Sequence, residues 1–139
     1  MSLGADWLNN RIGASEVVVI DGATGSELEA RGVPMVEEGW AVMAQLEYPD
    51  ILRQLHVDYI NAGAAAIIAN TFAAGRHLLE LGGLGDGVAD AHRLAVEIAL
   101  QARDEAGQPA VVPGPYRATW PISLTESGGI DWTTPTANR

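Results

Sequence analysis

The sequence contains no cysteine and no lysine. Without thiols these residues carry no disulfide framework, no thiol nucleophile and no thiolate zinc site. Without lysine there is no Schiff base, no phosphate-loop lysine and no lysine general base. Positive charge is scarce altogether: 8 basic residues, all arginine, stand against 18 acidic ones, and the formal net charge is -10. Nucleic acid and anionic membranes both need positive charge on the protein, so neither is expected as a partner. No apolar run approaches the roughly 18 residues of a membrane span. The N-terminus also lacks the basic region and apolar core of a secretory signal. A cytoplasmic protein is the expectation.

What is present suits a packed domain. Of the 139 residues, 47% are hydrophobic and 19% charged, which argues for a real core. The length fits one domain but not a complete eight-fold β/α barrel, which needs about 200 residues or more. Three apolar runs stand out: Val17-Val18-Val19-Ile20, Ala64-Ala65-Ala66-Ile67-Ile68-Ala69 and Ala110-Val111-Val112. They do not alternate with polar residues, so they read as strands of a parallel sheet, buried on both faces.

Helical patterns lie between them. Thr24 and Glu27 have capping-box spacing, and Gly32 is a stop signal. A helix is predicted from Pro49 to Ala62, with Pro49 and Asp50 in its first turn and Gly63 ending it. Its apolar stripe is Ile51, Leu55 and Tyr59, flanked by Leu52 and Ile60. A second helix is predicted over about Val88 to Ala106, with Ala91, Ala95, Ile98, Ala99 and Ala102 inward and Gly107 closing it. The order β-α-β-α-β suits an open α/β sheet or part of a barrel equally well on pattern. From Pro113 onward the chain is rich in Pro, Gly, Ser and Thr and reads as loop.

In parallel α/β folds the carboxyl ends of the strands form the ligand face. Asp21-Gly22, Asn70-Thr71 and the Pro113–Tyr116 segment follow the three runs directly. Asp21 can bind an ammonium group or cap its turn. Asn70 and Thr71 can bind a ligand or satisfy loop backbone. Trp40 can wall a pocket or simply pack. The glycine-rich stretch Gly82–Gly87 follows a helix, lacks dinucleotide spacing and reads as a linker. His56, His77 and His92 have no metal-ligand spacing, and His56 reads as a surface or hydrogen-bonded histidine on a helix.

These motifs together resemble the homocysteine S-methyltransferase family. Asp21-Gly22-Ala23-Thr24-Gly25-Ser26-Glu27-Leu28 is similar to its opening Asp-Gly-Gly-x-Gly-Thr-Glu-Leu. Trp40 falls where the family has a tryptophan before its first long helix. Pro49-Asp50-Ile51, followed by His56, Tyr59-Ile60 and Ala62-Gly63-Ala64, resembles its Pro-to-Ala-Gly-Ala run. Asn70-Thr71-Phe72 and Gly114-Pro115-Tyr116 resemble two strand-end loops. The resemblance implies a zinc-binding (β/α)8 TIM barrel, in which the thiol of homocysteine receives a methyl group from a sulfonium, betaine or methylfolate donor to give methionine. It implies Asp21 and Gly22 at the amino-acid end of homocysteine. Trp40 would line the pocket, with Asn70, Thr71 and Phe72 as the neighbouring wall.

The departures shape the expectation. The family's zinc ligands are cysteines, and this chain has none. Ala23 and Ser26 replace the usual Gly and Thr, and likeness fades after Tyr116. The expected fold is α/β: a partial barrel of about three βα units over residues 1–116, with an irregular tail, truncated or frame-shifted, over 117–139. The isolated chain is expected to be inactive and to self-associate through open barrel edges. The alternative is a non-catalytic amino-acid- or thiol-binding chain, or a non-functional barrel fragment.

Overall fold

The computed structural model describes residues 5–35, 43–72 and 87–112. Five helices lie there: α1 (Ala5–Gly13), α2 (Gly25–Ala30), α3 (Met43–Glu47), α4 (Pro49–Asn61) and α5 (Val88–Ala106). The three apolar runs come together in parallel. Ile20 pairs with Ala66, and Ala66 pairs with Val111. The Ala65 amide donates to the Val19 carbonyl at 2.7 Å, and the Val111 amide to the Ala65 carbonyl at 2.9 Å. The middle run in the chain is therefore the middle one in space. Parallel neighbours need crossover connections, and α2 to α4 and then α5 provide them.

The helices hold this arrangement by apolar burial. Leu28, Leu52, Leu55, Ala91 and Ile98 share one cluster with Val33 and Ala44. Ile60, Ala64, Ile67, Ala69, Ala99 and Ala110 form a second, which joins α4 and α5 to the paired runs. Burying a leucine such as Leu52 or Leu55 contributes about 1.5–3 kcal/mol. Ala91, Ala95, Ala99 and Ala102 are all buried on α5. That small-residue stripe lets the backbone of α5 approach its neighbours. Arg53 pairs with Glu105 between α4 and α5, and Arg31 pairs with Asp58 at 2.8 Å between the end of α2 and α4. Both pairs are solvent-facing and contribute little.

The local signals for the two long helices act as read. α5 spans Val88–Ala106, and Gly107 ends it in the left-handed conformation at φ 64°. α4 begins at Pro49 and ends one residue before the expected Ala62. Other expectations need correction. Thr24 makes no side-chain cap bond, because its own backbone is already helical at φ -83° and ψ -53°. Glu27 instead pairs with Arg31 at 3.0 Å. The runs are not all buried on both faces. Val17 is 84% exposed, and Val19, Ile20 and Ile68 are exposed as well, since no described element covers that side. Pairing is limited to single bridged positions and not extended ladders. Helices α1 and α3 had no signal in the pattern. The glycine-rich residues 82–86, Gly114 to Tyr116 and the tail 117–139 lie outside the described residues.

Candidate functional site

The carboxyl ends of the first two runs place Asp21 and Asn70 at one mouth. Asp21 is one residue past the bridged Ile20, and its amide donates to the Ala66 carbonyl at 3.0 Å. Its side chain turns across the neighbouring run, where Oδ2 accepts the Ile68 amide at 2.7 Å. The residue is buried, and Oδ1 has no hydrogen-bond partner among the described residues. Burial pushes the carboxyl pKa up, and the amide bonds from Ile68 and from its own backbone only partly counter this. A buried acceptor without a donor costs about 1–3 kcal/mol. The site thus holds a carboxylate with one oxygen committed to the scaffold and one open to a donor.

Gly22 lies close against Tyr59. A Cβ at position 22 would lie 3.0 Å from the Tyr59 hydroxyl oxygen and 3.2 Å from its ring carbons. The Tyr59 hydroxyl donates to the Ala23 carbonyl at 2.9 Å. Tyr59 therefore clamps the Asp21-Gly22-Ala23 turn from α4, and a side chain at position 22 would press on its ring.

Asn70 is held from α3. Its Nδ2 donates to Gln45 Oε1 at 2.7 Å, while Gln45 Nε2 donates to the Asn70 carbonyl at 3.3 Å. Both residues are buried, Gln45 completely. Thr71 folds back on its own loop, its amide donating to the Ala69 carbonyl at 2.6 Å. The Phe72 ring is 92% exposed. Trp40 lies outside the described residues.

Gln45, Tyr59 and His56 were not singled out as site residues by sequence reasoning. Gln45 and Tyr59 reach the site from separate helices, so no local pattern marks them. His56 corrects its reading as a surface or hydrogen-bonded residue. It is fully buried, and neither ring nitrogen has a partner among the described residues. Desolvation lowers its pKa to about 4. A separate cleft of about 700 Å³ is lined by Trp7, Arg103, Gly107 and Pro109. It sits where the third run begins, away from the carboxyl ends that carry Asp21 and Asn70.

A family profile described as homocysteine S-methyltransferase matches residues 18–135. The chain belongs to the homocysteine S-methyltransferase family. Homocysteine S-methyltransferase YbgG of Bacillus subtilis is 35% identical over 92 residues, covering 64% of this chain and 29% of the relative. The selenocysteine methyltransferase of Astragalus bisulcatus is 35% identical over 66% of this chain and 27% of its own length. Among solved structures, the metallated form of the homocysteine methyltransferase MmuM from Escherichia coli superposes with a TM-score of 0.67 and 29% identity. That match covers 78% of this chain and 41% of MmuM. The chain thus spans less than half the length of these relatives.

The zinc implied by this family is not matched by the residues present. The sequence has no cysteine, and no cluster of three or more His, Asp or Glu among the described residues could hold a metal ion. Among the described residues no helix is long and apolar enough to cross a membrane.

Proposed function

We propose that this chain forms the substrate-binding first part of a (β/α)8 barrel that methylates the thiol of homocysteine to give methionine. In this reading Asp21 accepts the ammonium group of homocysteine through Oδ1. Asn70 presents its amide beside it. Gly22, Trp40, Thr71 and Phe72 complete the wall, with the Asp21 turn held by Tyr59. The observation that carries the proposal is the buried Asp21 carboxylate with one oxygen unpartnered among the described residues. Parallel pairing in chain order and the MmuM superposition support the partial barrel. The methyl donor class stays a sulfonium, betaine or methylfolate. The proposal places the protein in the cytoplasm, with small-molecule substrates and no nucleic-acid partner. The exposed Val17, Val19, Ile20 and Ile68 support self-association of the chain on its own.

The experiment is calorimetric titration of the purified chain with L-homocysteine and with its des-amino analogue, sulfanylbutanoate. Homocysteine is expected to bind at least about tenfold more tightly, since only it carries the ammonium that Oδ1 accepts. Equal affinities, or no binding of either, would overturn the proposal. The same chain, supplied with zinc, L-homocysteine and S-methylmethionine, is expected to move no methyl group to homocysteine, because no cysteine thiolate is present to hold the metal.

A further inference from the structure

We propose that the cleft between α1 and the end of α5 is a second binding site, and that its ligand is an α-amino acid with an apolar side chain. The cleft has a volume of about 700 Å³, within the range of small-molecule sites. It lies where the third run begins, at the end of the paired runs opposite Asp21 and Asn70. The homocysteine reading makes no use of it. Trp7 of α1 lines it together with Arg103, Asp104, Gln108 and Pro109.

Three features point to the ligand class. The first is a pair of opposite charges. Arg103 Nε and Nη2 both approach Asp104 Oδ1, at 2.9 and 2.7 Å. The pair itself therefore leaves Arg103 Nη1 and Asp104 Oδ2 to other partners. A guanidinium suits a ligand carboxylate and a carboxylate suits an ammonium, and an α-amino acid carries both on one carbon. The second feature is the apolar surface beside that pair. Trp7, Pro109 and the buried Ala110 suit a hydrocarbon side chain. Arg11 lies over the indole at 5.1 Å from its centroid and does not line the cleft, so a different part of the ring meets it. The third feature is charge. The net charge of -10 repels a simple anion, and Arg103 disfavours a simple cation. A zwitterion meets neither penalty. The loop that lines the cleft is also held in place. Gly107 turns the chain at φ 64°, and Gln108 Nε2 donates to Asn61 Oδ1 at the end of α4 at 3.2 Å. A site formed in advance loses less order on binding.

The test uses L-leucine, L-leucinamide, which lacks the carboxylate, and N-acetyl-L-leucine, which lacks the ammonium. Each is titrated into the isotope-labelled chain while the indole N–H signals of its 4 tryptophans are followed. The Trp7 signal is identified by its absence in Trp7→Phe. L-Leucine is expected to shift that signal saturably, and the other two compounds to bind at least about fivefold more weakly. Arg103→Gln is expected to weaken leucine binding at least about fivefold and to bind leucine and leucinamide alike. Asp21→Asn, altered at the opposite mouth, is expected to bind leucine as wild type does. No saturable shift at Trp7, or equal binding of leucine and leucinamide by wild type, overturns the proposal. Loss of leucine binding in Asp21→Asn overturns it too, by putting the amino acid at the Asp21 mouth. The comparison of the three compounds on wild type decides the matter even if a variant fails to fold. It is also independent of whether homocysteine binds at Asp21.

Discussion

Replacing Asp21 with asparagine is expected to weaken homocysteine binding by at least about 30-fold, because removing one partner of a buried charge pair costs about 2–5 kcal/mol. The ligand-free chain is expected to melt no lower than wild type. Asparagine can still accept the Ile68 amide through its oxygen, so the scaffold contact made by Oδ2 survives. What disappears is a buried negative charge whose second oxygen has no partner among the described residues. The raised pKa carries the same message. An acid raised in the folded state binds its proton more tightly there than in the unfolded chain. It therefore favours folding below its ordinary pKa of 3.8, and that contribution is lost as pH rises through the folded value. At neutral pH the buried Asp21 carboxylate is a stability cost, the kind of trade the proposed binding role would explain. Calorimetric titration and thermal melts of wild type and Asp21→Asn check both halves. Unchanged affinity, or a markedly lower melting temperature with affinity retained, would contradict this account.

His56 sets the second large effect, with the opposite sign. Its ring is fully buried and neutral, with a pKa of about 4 in the fold against 6.5 in the unfolded chain. Above pH 6.5 both states hold the ring neutral, and its burial carries no penalty from charge. Below that value the unfolded chain takes up a proton that the folded chain refuses until about 4. Stability is therefore present above 6.5 and lost as pH falls toward 4. The full loss is on the order of 3 kcal/mol, taking about 1.4 kcal/mol for each pKa unit. That is a large share of a typical domain's stability. Urea unfolding at about pH 7 and about pH 4.5 measures it. His56→Leu places an apolar side chain on the face that carries Leu52 and Leu55, and is expected to remove most of the acid sensitivity. The difference between the two proteins isolates His56 from the opposing slope of Asp21. Parallel slopes for wild type and His56→Leu would show that the ring is not held neutral by burial.

Much of the secondary structure was legible because its signals are local. Pro49 at the start of α4, the alanine stripe of α5 and Gly107 after it each act within a turn or two of chain. The capping reading at Thr24 failed for a reason also local in scale but invisible in residue type: the residue is already helical. At the candidate site, the positions of Asp21 and Asn70 just past the paired runs were legible as polar residues closing apolar runs. Their partners were not. Tyr59 comes from a helix 36 residues beyond Ala23, and Gln45 lies 25 residues before Asn70.

The sequence alone determined the family, the order of the three runs and the two long helices, the start of α4 and the limits of α5, and the lack of cysteine thiolates in this chain. These follow from composition, motif order and short-range backbone preferences. Only the tertiary structure decided that the first run keeps an open face. It also decided that His56 is sealed in without a partner among the described residues, that one oxygen of Asp21 is tied to Ile68 while the other is not, and that Gln45 is bonded to Asn70. Each depends on which surfaces meet when α3, α4 and α5 pack against the paired runs. Burial and hydrogen-bond satisfaction belong to that packing and not to any single stretch of chain.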